Sequence, residues 1–537
     1  MLFKVFILIN LLSYVISLKL IKIKKTKFFL NNVLRKTNNE YVLYNNQSYF
    51  GSKYLFNRIF NDSIKQKGDK ASELLQRANY VKDINGLFNI LPLGFRVINK
   101  IINFINKHLE KINSHCLSLS ILQTKKLWNL SDRSKLYSDE FLYVYRKKQG
   151  KADKNFEETT RKKIEDDGTI LSPTCEESSL ALINKIFNEN ITLKSLPILI
   201  HQYNYKFRNE KRLEKSLFKS KEFLMKDGYS FHSNEKCLNE IYELYKECYK
   251  NIFEELNLTF NIIKKRKRDK MNALNSHEFQ VLCRDGKFKE AGHIFKLGDY
   301  YSQKLDIKYL NKKNEKNNIH MGSYGIGIYR LLYFLIDHFY DDDGIKLPKQ
   351  VAPFTIYLIQ INRKSRFSSK KIDGILAKFR NTDFKDEIND KEECVKDNEE
   401  NDIQENEKKN DETSSKIPYN SLNSNDIEYI LTLWLYNSFK NNNVDTYFDD
   451  TDLHLSRKLK HCDLIGVTNR IIINLNNLEK KIELPIDFYN YIDNTKNILL
   501  NKLYFIFKNV KVEYKNRFSN QTKMMTIHEL FKYFKLI

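Results

Sequence analysis

Apolar positions along this chain become periodic from about residue 71. The segment 71–81 (ASELLQRANYV) has apolar residues at helical spacing and predicts a short amphipathic helix. Leu91, Pro92, Leu93 and Gly94 read as a turn. After it, Val97, Ile98, Ile101, Ile102, Ile105 and Leu109 predict a long helix over 95–112. Alternation in CLSLSIL predicts a strand over 116–122. Further strands are expected at 167–172, 198–207 and 223–231, with helices at 175–188 and 235–256. That order suits an antiparallel sheet flanked by helices, an α+β arrangement, and not an alternating parallel array.

A second unit begins near Pro348 and Pro353. The pattern predicts a strand at 352–361, a helix at 371–379, a helix at 425–439, a strand at 443–448, a helix at 453–460 and a strand at 470–475. Between them, residues 384–416 are dominated by Asp, Glu, Lys and Asn. With so little apolar surface to offset the entropy of ordering, this stretch reads as a disordered insertion in a small mixed α/β domain.

At the N-terminus, Lys4 precedes an apolar run from Val5 to Ile16, with Ser17 and a cluster of lysines behind it. The run is short for a membrane span and matches the apolar core of a signal peptide, here 1–18. Residues 19–68 are basic and contain no acidic residue before Glu40, as a transit segment does. A signal followed by a transit segment predicts delivery to a plastid-like organelle such as an apicoplast, with a mitochondrion as the alternative. No later segment is apolar enough to cross a membrane.

Composition narrows the class further. The 537 residues carry a formal net charge of +24 and are 41% hydrophobic, which allows several domains and favours a polyanionic partner. The 7 cysteines are scattered without a CxxC pair, which supports neither a zinc site nor a disulfide framework.

The chemistry is concentrated around three glycines, Gly322, Gly325 and Gly327, which lead into Arg330 and an apolar run ending at Ile336. Glycine lets backbone pack closely, and an arginine at a helix mouth is placed to meet a phosphate. Upstream, Arg208 and Glu210 precede a lysine-rich loop, and Phe223 opens a second alternating segment. Two strands joined by a basic loop form a hairpin that can close over a triphosphate, with the arginine on the α-phosphate and the aromatic ring on the base.

Together these features resemble motifs 2 and 3 of class II aminoacyl-tRNA synthetases. The words LPLGFRV (91–97), PTCEE (173–177), KFRNE (206–210), KEFLMKDGYSFH (221–232), SHEFQ (276–280), EAGHIFKLG (290–298), MGSYGIG (321–327), VAPF (351–354) and DLIG (463–466) occur in the order seen in bacterial-type prolyl-tRNA synthetases. The resemblance spans 70–475. It implies a class II catalytic domain at 69–347, an anticodon-binding domain at 348–478 and a C-terminal extension at 479–537. It implies a homodimer that uses ATP and Mg²⁺, takes proline and tRNA as partners, and has no membrane association.

Residue roles follow from the same resemblance. Thr174 and Glu176 receive the secondary ammonium of proline, and Arg208 bridges its carboxylate and the α-phosphate. Met225, Asp227, Tyr229, His277 and Ser323 line the proline pocket. Glu210, Lys219 and Phe223 serve ATP, Arg330 holds the γ-phosphate, and Glu290 binds Mg²⁺. The chain departs from the family at Leu213, Glu214 and Ser216 in the motif 2 loop, and Lys219 and Lys221 stand where arginines are usual. Ser120 replaces the motif 1 proline, Cys175 a common histidine and Ser323 a common cysteine. The anticodon-facing segment usually has an Arg-Pro-Gly stretch, where this chain has His454, Leu455 and Ser456 and then the basic Arg457 and Lys458. The interval from His232 to Ser276 has no room for the inserted editing domain of about 100 residues. The alternatives are a synthetase of the same class for threonine, histidine, glycine or serine, and a non-catalytic RNA-binding relative.

Overall fold

A computed structural model describes residues 69–144, 168–210, 217–265, 270–361, 424–449, 451, 453–475, 482, 491–492, 495–519 and 521–537. The expected leader segments, the helix at 371–379 and the insertion at 384–416 lie outside the described residues.

The first helix, α1 (Lys70–Arg77), is capped by Asp69, whose side chain accepts from Ser72 N. It stops short of the expected Val81 because the chain turns into a hairpin of β1 (Val81–Ile84) and β2 (Leu87–Ile90). Asn85 and Gly86 both have positive φ, 55° and 82°, the geometry of a two-residue turn between twisted strands. The residues expected as a turn are the start of α2 (Pro92–Lys111), with Pro92 in the first turn, where its missing N–H costs nothing. Gly94 is required there: a Cβ would lie 2.2 Å from the Tyr80 carbonyl oxygen.

The 116–122 strand is not continuous. Only β3 (His115–Cys116) joins the main sheet, and Leu122–Thr124 pairs elsewhere, with Thr169–Leu171. Between them the backbone is held by side chains: Gln202 accepts from Leu119 N at 2.8 Å, and Asn204 donates to Leu119 O at 2.7 Å. Polar side chains of the neighbouring strand thus take the place of a ladder partner.

The main sheet uses β4 (Ile198–Phe207), β5 (Glu222–His232), β6 (Phe260–Lys265), β7 (Asn275–Leu282), β8 (Phe288–Gly298) and β9 (His320–Gly327). Its order is β6-β7-β8-β9-β5-β4-β3, antiparallel except for β3 beside β4. This is the antiparallel sheet with flanking helices that the sequence predicts. The helices α3 (Glu176–Ile186), α4 (Glu235–Glu255) and α5 (Ile328–Phe339) accompany it.

Because side chains alternate along a strand, each strand serves two faces. One face meets α4, where Tyr324 stacks on Tyr245 at 3.6 Å between centroids. The other carries Asp227, Tyr229 and Ser323.

The C-terminal domain forms around a second sheet, made of β10 (Ile356–Gln360), β11 (Thr446–Asp449), β12 (Asn469–Ile473), β13 (Lys511–Asn516) and β14 (Thr522–Thr526). The order is β11-β10-β12-β13-β14. The residues expected as a separate extension from 479 therefore supply two strands of this sheet and pair directly with β12. They also supply core, since Phe507, Ile527, Leu530 and Phe531 pack with Trp434 of α6 (Ser424–Asn441). A further helix, α7 (Leu455–Leu464), precedes β12. No described helix is long and apolar enough to cross a membrane.

One buried group sets a pH dependence. Lys226, on the α4 face, has no exposed surface and donates to the Tyr249 hydroxyl at 2.8 Å. Burial drives its ammonium down from 10.5 to about 7, against the pull of Cys248 and Asp227. Above that value the unfolded chain binds the extra proton, so stability should rise as pH climbs from about 7 toward the unfolded lysine value, and this contribution should level off below about 7, where both states are protonated. Thermal unfolding at about pH 6 and about pH 9 should show this gain for the wild type and not for Lys226→Met; identical pH profiles would refute it.

Candidate functional site

The N-terminus of α3 and the site face of β4, β5 and β9 build one buried polar cluster. Glu176 and Glu177 occupy the first turn of α3, where the helix dipole favours negative charge. Both are 1% exposed. Glu176 accepts from the Thr174 hydroxyl at 2.7 Å and 3.0 Å, from the Ser323 hydroxyl at 3.0 Å and from Arg133 Nη1 at 3.2 Å. Arg133 also donates to both oxygens of Glu177 at 3.0 Å, and Ser131 donates to Glu177 Oε1 at 2.6 Å. Burial pushes the Glu177 carboxyl up, with the Arg133 charge opposing it. Arg133 is itself fully enclosed; burial disfavours its charge, but Glu177 and its other neighbours hold the guanidinium well above its ordinary value.

A second ion pair lies on the adjacent strands. Lys206, with no exposed surface, is 3.0 Å from Asp227 Oδ2, which also accepts from the Tyr229 hydroxyl at 2.6 Å and from Gln202 at 3.0 Å. Burial works against the Lys206 charge, but Asp227 outweighs it and raises the lysine above its ordinary value. Burial and Asp227 together raise the Tyr229 phenol, so it remains a donor. The same phenol oxygen accepts from Cys175 N at 3.1 Å, which ties the start of α3 to β5. The other carboxylate oxygen, Asp227 Oδ1, is buried without a hydrogen-bond partner among the described residues. Opposite Asp227 on β9 is Gly325, where a Cβ would meet nothing closer than 3.8 Å, so space remains beside the carboxylate. Met225, the next residue of β5 on this face, borders that space.

His277 is not part of this cluster. It pairs with Ile294 and turns to α4, its Nδ1 2.8 Å from the Tyr242 hydroxyl. The alternation of β7 puts Ser276 and Glu278, not His277, toward the site face, so the expectation of a pocket role for His277 is corrected.

Beside this cluster lies an open pocket of about 270 Å³, lined by Glu210, Phe218, Lys219, Phe223, Gly327 and Arg330 among others. Arg208 Nε and Nη2 donate to Pro173 O at 3.3 Å and 3.2 Å, and its guanidinium lies 5.3 Å from the centroid of Phe223. Arg330, in the first turn of α5, donates to Phe218 O at 3.1 Å and pairs with Glu290 at 3.3 Å. Burial would raise Glu290, but the hydrogen bond from His293 and the charges of Arg330, His293 and Arg208 hold it down at about 2. Cations thus line the pocket beside an aromatic ring and a glycine, and Arg330 brings the ionised Glu290 as its partner. That is a set of groups suited to a nucleotide and its phosphates. The departures at Leu213, Glu214 and Ser216 lie outside the described residues.

Comparison with known proteins identifies the family. A family model described as tRNA synthetase class II core domain (G, H, P, S and T) matches residues 158–339. A proline–tRNA ligase of Sulfurimonas denitrificans is 28% identical over 349 residues, covering 55% of this chain and 76% of the relative. A proline–tRNA ligase of a Wolbachia from Brugia malayi is 30% identical over 338 residues, covering 54% of this chain and 75% of the relative. The chain belongs to the proline–tRNA ligase family. The fold agrees: a Giardia lamblia prolyl-tRNA synthetase, solved with prolyl-adenylate, superposes with a TM-score of 0.60 at 17% identity, over 85% of this chain and 73% of that one.

Within this proline–tRNA ligase fold, three buried residues of the cluster, Lys206, Gln202 and Arg133, are not among those the sequence reading singles out. Lys206 could have been found, since it lies two positions before Arg208 on an alternating strand and so on the same face. Gln202 follows from the same rule. Arg133 could not: it sits in a short irregular segment after Lys125–Leu130 that has no periodicity to orient it.

Removing Arg133 would leave two buried carboxylates without their cation. Arg133→Met should lower stability by about 3–5 kcal/mol in denaturant unfolding. Adding Glu177→Gln should recover part of that loss, and a neutral Arg133→Met would refute the pairing.

Proposed function

We propose that this chain activates proline with ATP and transfers it to the 3′ end of tRNA(Pro) in a plastid-like organelle. The observation that carries the reading is the junction of two sites on one sheet face: the cation-lined pocket of Arg330, Glu210 and Phe223, and the buried carboxylates Glu176 and Asp227. Proline enters as a carboxylate with a secondary ammonium. Thr174, Glu176 and the open Oδ1 of Asp227 receive the ammonium, while Met225, Tyr229 and Ser323 shape the wall against the ring. Arg208 leaves its carbonyl partner to bridge the substrate carboxylate and the α-phosphate. Phe223 stacks on adenine, and Glu210 and Lys219 hold the nucleotide.

The proline carboxylate attacks the α-phosphorus, the bond to the β-phosphate oxygen breaks, and pyrophosphate leaves. Charge growing on the transferring group is met by Arg208, and that on the leaving phosphates by Arg330. Mg²⁺ fits this site through Glu290, an ionised carboxylate beside the phosphate-facing arginine, and when bound it would supply charge neutralisation to the phosphates. The 3′-terminal ribose hydroxyl of the tRNA then attacks the prolyl carbonyl, and AMP leaves.

The C-terminal domain is the anticodon-binding part in this reading. His454, Arg457 and Lys460 are exposed at the start of and along α7, a basic surface suited to RNA. The exposed edge strand β3 and the family resemblance support a homodimer. The interval between β5 and β7 is taken up by α4 and β6, which supports an enzyme without an inserted editing domain. The basic leader at 1–68 supports organellar import.

Pyrophosphate exchange measured with each amino acid in turn should respond to proline and not to threonine, histidine, glycine or serine. Arg208→Ala should abolish the exchange while tRNA binding persists; an unchanged rate would overturn the assignment. The same preparation should leave alanyl-tRNA(Pro) intact, and rapid deacylation would reveal editing. For location, residues 1–68 fused to a fluorescent reporter should deliver it to the plastid. Delivery to mitochondria or to the medium would reject that part.

A further inference from the structure

The helix α2 covers the sheet of the catalytic domain and also grips the C-terminal domain. Arg96 Nη2 forms an ion pair with the Asp445 carboxylate, and Lys100 Nζ reaches the same carboxylate at 2.6 Å. Both cations also hold the chain entering β10: Arg96 Nε donates to Pro353 O at 2.6 Å, and Lys100 Nζ to Ala352 O at 2.7 Å. The guanidinium lies 4.3 Å from the centroid of Phe354. Asp445 closes the arrangement through its own backbone, its carbonyl accepting from Thr355 N at 2.8 Å and Ile356 N at 3.1 Å. Two helix side chains, one turn apart, thereby fix the entrances of two neighbouring strands, β10 and β11, in the second sheet.

The pair is only part-buried, with side-chain exposures of 23–28%. Much of its Coulomb energy is therefore screened, and its contribution to global stability is modest. Its geometry is nevertheless specific. Four hydrogen-bonding contacts and a cation–π contact converge on the adjoining entrances of β10 and β11. A second tie holds the same domain elsewhere: Arg517 grips Asp341 at 2.7 Å and 2.5 Å, and the Tyr80 hydroxyl donates to Ile465 O at 2.9 Å. With that tie intact, loss of Asp445 removes the α2 side chains' shared anchor at the β10 and β11 entrances and leaves the domain attached.

We propose that Arg96, Lys100 and Asp445 are positioning residues for the transfer step. They set the angle at which RNA held by the C-terminal domain presents its 3′ end to the adenylate, and they take no part in forming the adenylate. This rests on the reading of the C-terminal domain as the anticodon-binding part. The physical argument is leverage. A tRNA held at a distance from the active site converts a small pivot of its docking domain into a large displacement of the reacting hydroxyl. A misplacement of about 1 Å costs up to about a hundredfold in rate.

The test compares wild type with Asp445→Ala, and with Lys100→Met as a second variant should the first fold poorly. Proline-dependent pyrophosphate exchange should be unchanged, and binding of a free anticodon stem-loop should be unchanged. Aminoacylation of full-length tRNA(Pro) should fall in kcat/KM by roughly ten- to a hundredfold. Asp445→Glu, which keeps the carboxylate, should recover part of the loss. An equal fall in exchange and aminoacylation would mean general destabilisation and overturn the proposal, as would undiminished aminoacylation. Failure of the wild type to bind the stem-loop would overturn the anticodon reading and the clamp with it, whereas failure of the clamp alone leaves stem-loop binding in place.

Discussion

The guanidinium of Arg133, sealed from solvent, faces two glutamates at the start of α3, and the ammonium of Lys206 faces Asp227 across β4 and β5. Carboxylates this deeply enclosed remain charged only while paired and hydrogen-bonded. The rest of the buried polar cluster depends on this condition. The Thr174 and Ser323 hydroxyls point at Glu176 because it is an acceptor, and the Tyr229 phenol bridges Asp227 to the backbone of Cys175 for the same reason. Such a network is rigid because each member has its partners prescribed. Asp227 Oδ1 is the exception, and an unfilled acceptor in a buried site is what an incoming ammonium requires.

The open pocket follows a different physical regime. Glu290 has a side-chain exposure of 40%, and Arg330 of 23%, and the pocket between Phe218 and Phe223 is open to solvent. Arg208 now rests on the carbonyl oxygen of Pro173, a neutral partner that a phosphate can displace at small cost, while Arg330 divides its donors between Phe218 O and the Glu290 carboxylate. The enclosed end therefore favours discrimination, where a poorly fitting substrate leaves buried groups unpaired. The open end favours charge neutralisation, which tolerates movement. Lysine in place of arginine at 219 and 221 is compatible with that division, since a flexible point charge can follow a polyphosphate although it cannot grip it bidentately.

Much of this was legible in the sequence because the strands and helices of the core are long and regular. The periods of β4, β5 and α4 specify their elements almost to the residue, and the words around Arg208 and Gly325 carry the family resemblance. What was hidden has specific causes. Both faces of the main sheet are covered, so alternation alone could not tell which face a residue such as His277 would join; that is set by the register of β7 on β8. The strand at 116–122 failed because its partners are the Gln202 and Asn204 side chains, which no period reveals. Arg133 is fixed by contacts remote in sequence. The C-terminal strands β13 and β14 lie beyond the last recognisable family word, and their membership of the second sheet is a long-range pairing.

The two unusual letters of the pocket belong to one network and are best explained together. The Cys175 thiol sits 3.1 Å from Lys206 Nζ and 3.1 Å from the Ser172 hydroxyl, and burial raises it, so it stays neutral. A histidine there, common in the family, would bring a larger ring and a second potential cation against Lys206. With the small neutral thiol at 175, Lys206 Nζ contacts both Cys175 Sγ and Asp227 Oδ2, and the same Asp227 oxygen accepts from the Tyr229 phenol. At the opposite end, Ser323 donates to Glu176, a bond that the weaker S–H donor of a cysteine would make less well. Each substitution touches the hydrogen bonding around one of the two buried carboxylates, Asp227 in the first case and Glu176 in the second. A change at either position therefore alters the hydrogen bonding of a buried carboxylate, without any need to alter the rest of the pocket wall.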